Sequence, residues 1–116
     1  MKALVILNDP PYGTERSYDG LRLALSLAKT SDAEQRVFLM ADSVGCARAG
    51  QRCPEGYYNI ERMIRALTSK GVEIGLCGTC MDARAIDDGD IVPGTHRSSI
   101  DELAAWTLWA DKVITF

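Results

Sequence analysis

Two cysteines, Cys77 and Cys80, stand in a Cys-Gly-Thr-Cys run directly after a short apolar segment, Val72–Leu76. A cysteine that ends a strand and enters a helix has its sulfur near unpaired backbone N–H groups. Those groups and the helix dipole favour thiolate over thiol, and the thiolate is the reactive nucleophile. Gly78 lets the chain turn tightly and leaves the sulfur accessible. Thr79 completes the turn. Arg84 brings positive charge one turn beyond Cys80, and Asp82 opposes it. Three chemistries fit the pair. Cys77 takes up a sulfane sulfur as a persulfide and passes it on. Alternatively, the two thiols cycle as a dithiol–disulfide couple. The third is a tetrahedral Cys₄ zinc site shared with Cys46 and Cys53, whose C-x₆-C spacing is longer than the common C-x₂₋₄-C. The plainer structural reading is that both cysteines are small buried residues closing a strand–helix corner.

Cys46 and Cys53 lie in a Gly- and Arg-containing loop with Arg48 and Arg52. Those arginines are placed to lower the thiol pKa values or to hold an anionic sulfur species. Incidental thiols beside solvated arginines are the competing reading. His96 is the only histidine, nothing near it supports a triad, and it reads as a surface loop residue. Asp87, Asp88 and Asp90 lack an EF-hand spacing and read as a solvated turn. No GxGxxG or GxxxxGK[ST] loop is present, and no cofactor is expected. Trp106, Trp109 and the Tyr57–Tyr58 pair are aromatics of the kind enriched in interfaces, or else fill the core.

The elements that must carry these residues follow from hydrophobic pattern. Ala3–Leu7 is a continuous apolar run, as in a strand buried on both faces. After the breakers of 8–13, Thr14 caps a helix to about Lys29, with Leu21, Ala24, Leu25 and Ala28 on one face. Val37–Ala41 is the second strand, and Asp42–Gly56 is a long irregular segment. A helix from about Tyr58 to Ser69 places Ile60, Met63, Ile64 and Leu67 together, with Gly71 closing it. Val72–Leu76 is the third strand, and a short helical stretch runs to Arg84. Ala85–Pro93 is turn-rich, with at most a short fourth strand at Ile91–Val92. Ser99 and Glu102 form a capping box for a last helix from about Ile100 to Trp109, and Lys112–Phe116 is the final strand. This alternation implies an α/β sandwich around a mostly parallel sheet, with reacting groups outside the carboxyl ends of the strands.

Residues 1–116 have the length of a single domain. Thirteen Lys and Arg against 16 Asp and Glu leave a net charge of −3, which excludes a strongly cationic nucleic-acid binder. The aliphatic run Ala3–Leu7 is far short of the roughly 20 residues of a membrane span. It is also shorter than the about 7–15-residue core of a signal peptide. A soluble cytoplasmic protein is expected, whose cysteines are thiols or metal ligands rather than disulfides.

Three tracts together resemble the DsrE/DsrF-like family, in particular its small stand-alone YchN-like branch. They are YGTERSYDGLRLALSLA at 12–28, GQRCPEGYYNIERMIRALTSKGVEIGLCGTCMDARAI at 50–86 and ADKVITF at 110–116. The resemblance spans essentially the whole chain. It implies a three-layer α/β/α sandwich with five strands and homo-oligomers, trimers or hexamers. It also implies a role in sulfur relay with protein donors and acceptors, the persulfide residing on the cysteine at the end of the third strand. That position matches Cys77. Cys80 belongs to the CGTC variant rather than to single-cysteine members, and the family's usual Arg-Gly is Arg84-Ala85 here.

Overall fold

The computed structural model describes residues 1–116. Five parallel strands form one sheet: β1 (Lys2–Leu7), β2 (Glu34–Leu39), β3 (Glu73–Cys77), β4 (Thr95–Ser98) and β5 (Lys112–Thr115). Their spatial order is β4-β3-β2-β1-β5. The helices are α1 (Arg16–Leu27), α2 (Ile60–Ser69), α3 (Gly78–Ala83) and α4 (Ile100–Trp109). Successive steps from β1 to β3 move one way along the sheet, so right-handed crossovers put α1 and α2 on one face. The return from β4 to β5 runs the other way and puts α4 on the opposite face. The chain is therefore an α/β sandwich of three layers, as expected.

Register fixes which side chains meet which helix. Ile6, Phe38 and Gly75 are aligned across β1, β2 and β3, and His96 continues the row on β4. This row faces α4: Trp106 packs edge-on to Phe38 at 6.0 Å between ring centroids, and edge-on to His96 at 5.9 Å. A side chain on Gly75 would meet the Trp106 ring at 3.2 Å, so the bare backbone there is what admits the indole. Leu7 lies on the other face and comes so near Gly20 of α1 that an added Cβ would sit 2.4 Å from it. The fully buried Leu4, Leu7, Phe38, Leu39, Ile64, Leu67 and Ile74 form the centre of the core. These residues supply the continuous apolar strands and the single apolar helix stripes that a two-faced sheet requires.

Four details differ from the sequence expectation. The second strand spans Glu34–Leu39 rather than Val37–Ala41, Ala41 opening the 3₁₀ run instead. The fourth strand is Thr95–Ser98, not Ile91–Val92. It is an edge strand paired only to β3, so its polar sequence is tolerated where a central strand would need apolar residues. Ile91 and Val92 are buried instead, with Ile91 bridging to Arg48. The helix of residues 14–29 begins at Arg16 with Glu15 at its N-cap, while the Thr14 hydroxyl donates to Asp9 at 2.9 Å and accepts from the Arg16 N–H at 3.4 Å. The segment after β2 is less irregular than expected. Ala41–Ala47 forms a 3₁₀ run that buries Ser43, Val44, Cys46 and Ala47. No helix is long and apolar enough to cross a membrane.

Candidate functional site

Cys77 ends β3 and is the N-cap of α3, while Cys80 is the third residue of that helix. Both line a cavity of about 610 Å³, together with Met40, Thr79, Arg97, Ser98 and Ile100. Cys77 is 8% exposed. Gly78 follows it because a Cβ there would lie 3.0 Å from the Ser98 carbonyl oxygen and 3.2 Å from Arg97. α3 can thus nest directly against β4.

The surroundings of the two sulfurs are unequal. Burial opposes ionisation of Cys77. The Cys80 thiol, the Thr79 hydroxyl and the Cys80 and Thr79 amides outweigh it and hold the Cys77 thiol below its ordinary pKa. The Thr79 Oγ1 lies 3.3 Å from the sulfur. Cys77 stands at the N-terminus of α3, where the backbone amides favour negative charge, and makes no side-chain capping bond of its own. For Cys80 the balance tips the other way. Burial and the donation of its proton to Cys77 push the Cys80 thiol up, against the Ala41 N–H and the Arg84 charge. The Ala41 N–H donates to Cys80 Sγ at 3.3 Å. Ala41 holds a left-handed backbone (φ 50°), uncommon for a residue with a Cβ, and so aims that amide into the site.

Two arginines brace the turn. Arg84 donates to the Cys80 carbonyl at 3.0 Å and pairs with Asp42 at 2.8 Å, anchoring α3 to the 3₁₀ run. Arg97 donates to the Gly78 carbonyl at 3.1 Å and pairs with Asp82 and Asp88. The Asp82 charge that the sequence set against the cysteines is thus engaged by Arg97. Ser98 faces the same cavity and donates to Glu102 at 2.7 Å, and Glu102 also binds His96. His96 is therefore part of β4 and its network, not a free loop residue.

A model of the DsrE/DsrF-like family matches residues 1–116. The chain belongs to the DsrE/DsrF-like family. This DsrE/DsrF-like chain is 42% identical over 116 residues to protein YchN of Escherichia coli (strain K12), covering 99% of this chain and 98% of YchN. It is 32% identical over 112 residues to the uncharacterized protein MK0008 of Methanopyrus kandleri, covering 97% and 91%. The crystal structure of the E. coli ychN protein superposes with a TM-score of 0.94, covering 100% of this chain and 99% of that one. A protein of unknown function from Methanobacterium thermoautotrophicum, MTH1491, shares the fold at a TM-score of 0.75 and 15% identity, covering 99% and 97%.

In this DsrE/DsrF-like chain the other two cysteines lie apart from Cys77. Cys46 is 0% exposed, and burial pushes its thiol up to about 12. Cys53 lines a separate cavity of about 350 Å³ with Tyr12, Arg52, Pro54, Tyr57 and Tyr58. The Tyr12 hydroxyl donates to Gln51 at 2.6 Å and lies 3.1 Å from the Cys53 sulfur. No three Cys, His, Asp or Glu side chains gather as a metal-binding set, so the Cys₄ arrangement has no geometric basis. Sequence reasoning missed Arg97, Ser98 and Ala41. The only available signal was the rule that ligands gather at the carboxyl ends of strands, and it required β4 to be placed first.

Proposed function

We propose that the protein is a sulfur carrier or sulfurtransferase component in which Cys77 takes up a sulfane sulfur as a persulfide. The observation that carries this reading is the lowered Cys77 thiol at the wall of an open cavity, with donors on one side of the sulfur. A thiolate attacks the sulfane sulfur of a donor, and the donor's remaining group departs with the electron pair. Membership of a family linked in general to sulfur relay supports the reading. Thr79, Gly78, Arg84 and Arg97 position the turn, and Cys80 assists as proton donor to Cys77. The partners on this reading are sulfur-donor and sulfur-acceptor proteins. Incubation with thiosulfate or inorganic polysulfide, followed by peptide mapping, tests it. An extra sulfur on the Cys77 peptide, absent in Cys77→Ser, is expected; equal loading in that variant refutes it.

A dithiol–disulfide couple is the second reading, favoured by the placing of both cysteines on one helical turn and in one cavity. Titration against glutathione separates them, since a redox module needs both cysteines and a potential in the cytosolic range.

We also propose a homo-oligomer, a trimer or a hexamer. Leu108 is 89% exposed and Tyr57 72% exposed, and Ile100, Ala104 and Leu108 recur every four residues along the outer face of α4. Trp106 does not contribute, being committed to the core against Phe38. Light scattering giving only the 12.7 kDa monomer mass would contradict the assembly.

A further inference from the structure

We propose that Cys80 discharges the sulfur carried on Cys77 as hydrosulfide, so that the protein has a sulfide-releasing activity of its own. The inference rests on the persulfide reading above. Its structural basis is the arrangement of donors around two sulfurs that share one cavity.

The two cysteines sit at the N-cap and third position of α3. These positions lie on one helical turn, and both side chains line the same cavity. In the unloaded protein the neighbouring Cys77 sulfur favours Cys80 as a thiol. Loading changes this. The Cys77 Sγ becomes the inner sulfur of a persulfide, and the charge moves to the outer sulfur. The strongest neighbour holding Cys80 as a thiol is thereby lost. The groups that favour a Cys80 thiolate remain: the Ala41 N–H at 3.3 Å, and the Arg84 guanidinium, which is tied to the Cys80 carbonyl at 3.0 Å. Neither depends on the state of Cys77. Ala41 is held in its left-handed conformation by the fold, a strained arrangement of the kind that collects at functional sites.

The step balances as follows. The Cys80 thiol gives its proton to the outer sulfur and its sulfur attacks the Cys77 Sγ. A Cys77–Cys80 disulfide bond forms, and the bond between Cys77 Sγ and the outer sulfur breaks. The electron pair of that bond leaves with the outer sulfur as hydrosulfide. The sulfane sulfur is reduced to sulfide, and the two cysteine sulfurs are oxidised to a disulfide. A dithiol reductant then returns the protein to its starting state. An acceptor protein that enters the cavity competes with Cys80 for the same persulfide.

The test is a single turnover under anaerobic conditions. Wild-type protein and Cys80→Ser are loaded with inorganic polysulfide and freed of excess. Sulfide release and the state of each cysteine peptide are then followed with time. Wild type is expected to release one sulfide for each Cys77–Cys80 disulfide formed. In Cys80→Ser the Cys77 persulfide should last on the order of a hundredfold longer, because a positioned intramolecular thiol far outcompetes external thiols. Cys80→Ala serves as a second variant and should behave as Cys80→Ser does. Equal persulfide lifetimes in wild type and variants would overturn the inference while leaving the carrier reading intact. Migration of the extra sulfur to Cys80 without sulfide release would overturn it in the same way. Absence of loading on Cys77 in all three proteins would overturn the carrier reading, and this inference with it.

Discussion

Replacing Thr79 by valine removes one hydroxyl and leaves the shape almost unchanged. Thr79 is exposed, so the fold loses little. The Cys77 sulfur loses the oxygen 3.3 Å away. A hydrogen bond to a charged acceptor contributes about 1.5–3 kcal/mol, and exposure of this one puts it at the lower bound. About 1.5 kcal/mol corresponds to about one pKa unit at ~1.36 kcal/mol per unit. The Cys77 midpoint in Thr79→Val should therefore rise by about one unit. Below that midpoint the thiolate fraction falls about tenfold, while the more basic thiolate gains nucleophilicity with a Brønsted slope of about 0.4–0.5. The net alkylation rate falls by about threefold. The assay is the pH dependence of iodoacetamide alkylation, read at the Cys77 peptide. Thr79→Ser retains the hydroxyl and should keep the wild-type midpoint. An unmoved midpoint in Thr79→Val would refute the assignment of Thr79 as a thiolate donor.

Other expectations follow from the same geometry. Arg97→Met should change stability little, since its ion pairs are exposed to solvent screening. It should still speed amide exchange in residues 78–83, because the Gly78 carbonyl loses its partner. Ile64→Ala opens a cavity under α2 at a fully buried site, and its urea midpoint should report a loss of about 2–5 kcal/mol. Burial works against the Glu61 carboxylate, but Arg65 and the Gln51 and Gly50 amides outweigh it and hold its pKa below the usual range. The stability it supplies is present above the unfolded value of about 4.3 and is lost as pH falls through the lower folded value. Urea titrations from neutral to acid pH should show Glu61→Gln less stable than wild type near neutrality, with the gap closing in acid.

Much of this arrangement was legible in the residues, and the part that was not has a common cause. β1 and β3 announce themselves as apolar runs because both faces of a central parallel strand are covered. α2 announces itself by apolar spacing and α4 by its N-cap, whose bond from Glu102 N–H to Ser99 is present at 3.2 Å. The Cys77–Cys80 turn was legible because glycine after a strand-ending cysteine has few other uses. β4 was not legible. Its sequence, Thr-His-Arg-Ser, carries no apolar period, and its side chains are spent on Glu102, Asp82 and Asp88. With β4 misplaced, Arg97 and Ser98 could not be assigned to the cysteine cavity. Ala41 escaped for a different reason: its contribution is a backbone amide, which residue type does not reveal. The Cys46 loop looked available for chemistry because it is rich in arginine, yet the 3₁₀ run turns the thiol into the core.

The central claim is that Cys77 carries sulfane sulfur. The most direct measurement is made on protein taken from its own cells under alkylating conditions that trap thiols and persulfides as they stand. Each cysteine peptide is then examined by mass spectrometry before and after reduction with a dithiol. The account predicts an extra, reducible sulfur on the Cys77 peptide and none on the buried Cys46 peptide. Cys77 recovered only as a free thiol, in wild type and in Cys80→Ser alike, even after the cells are supplied with sulfane sulfur, would contradict it.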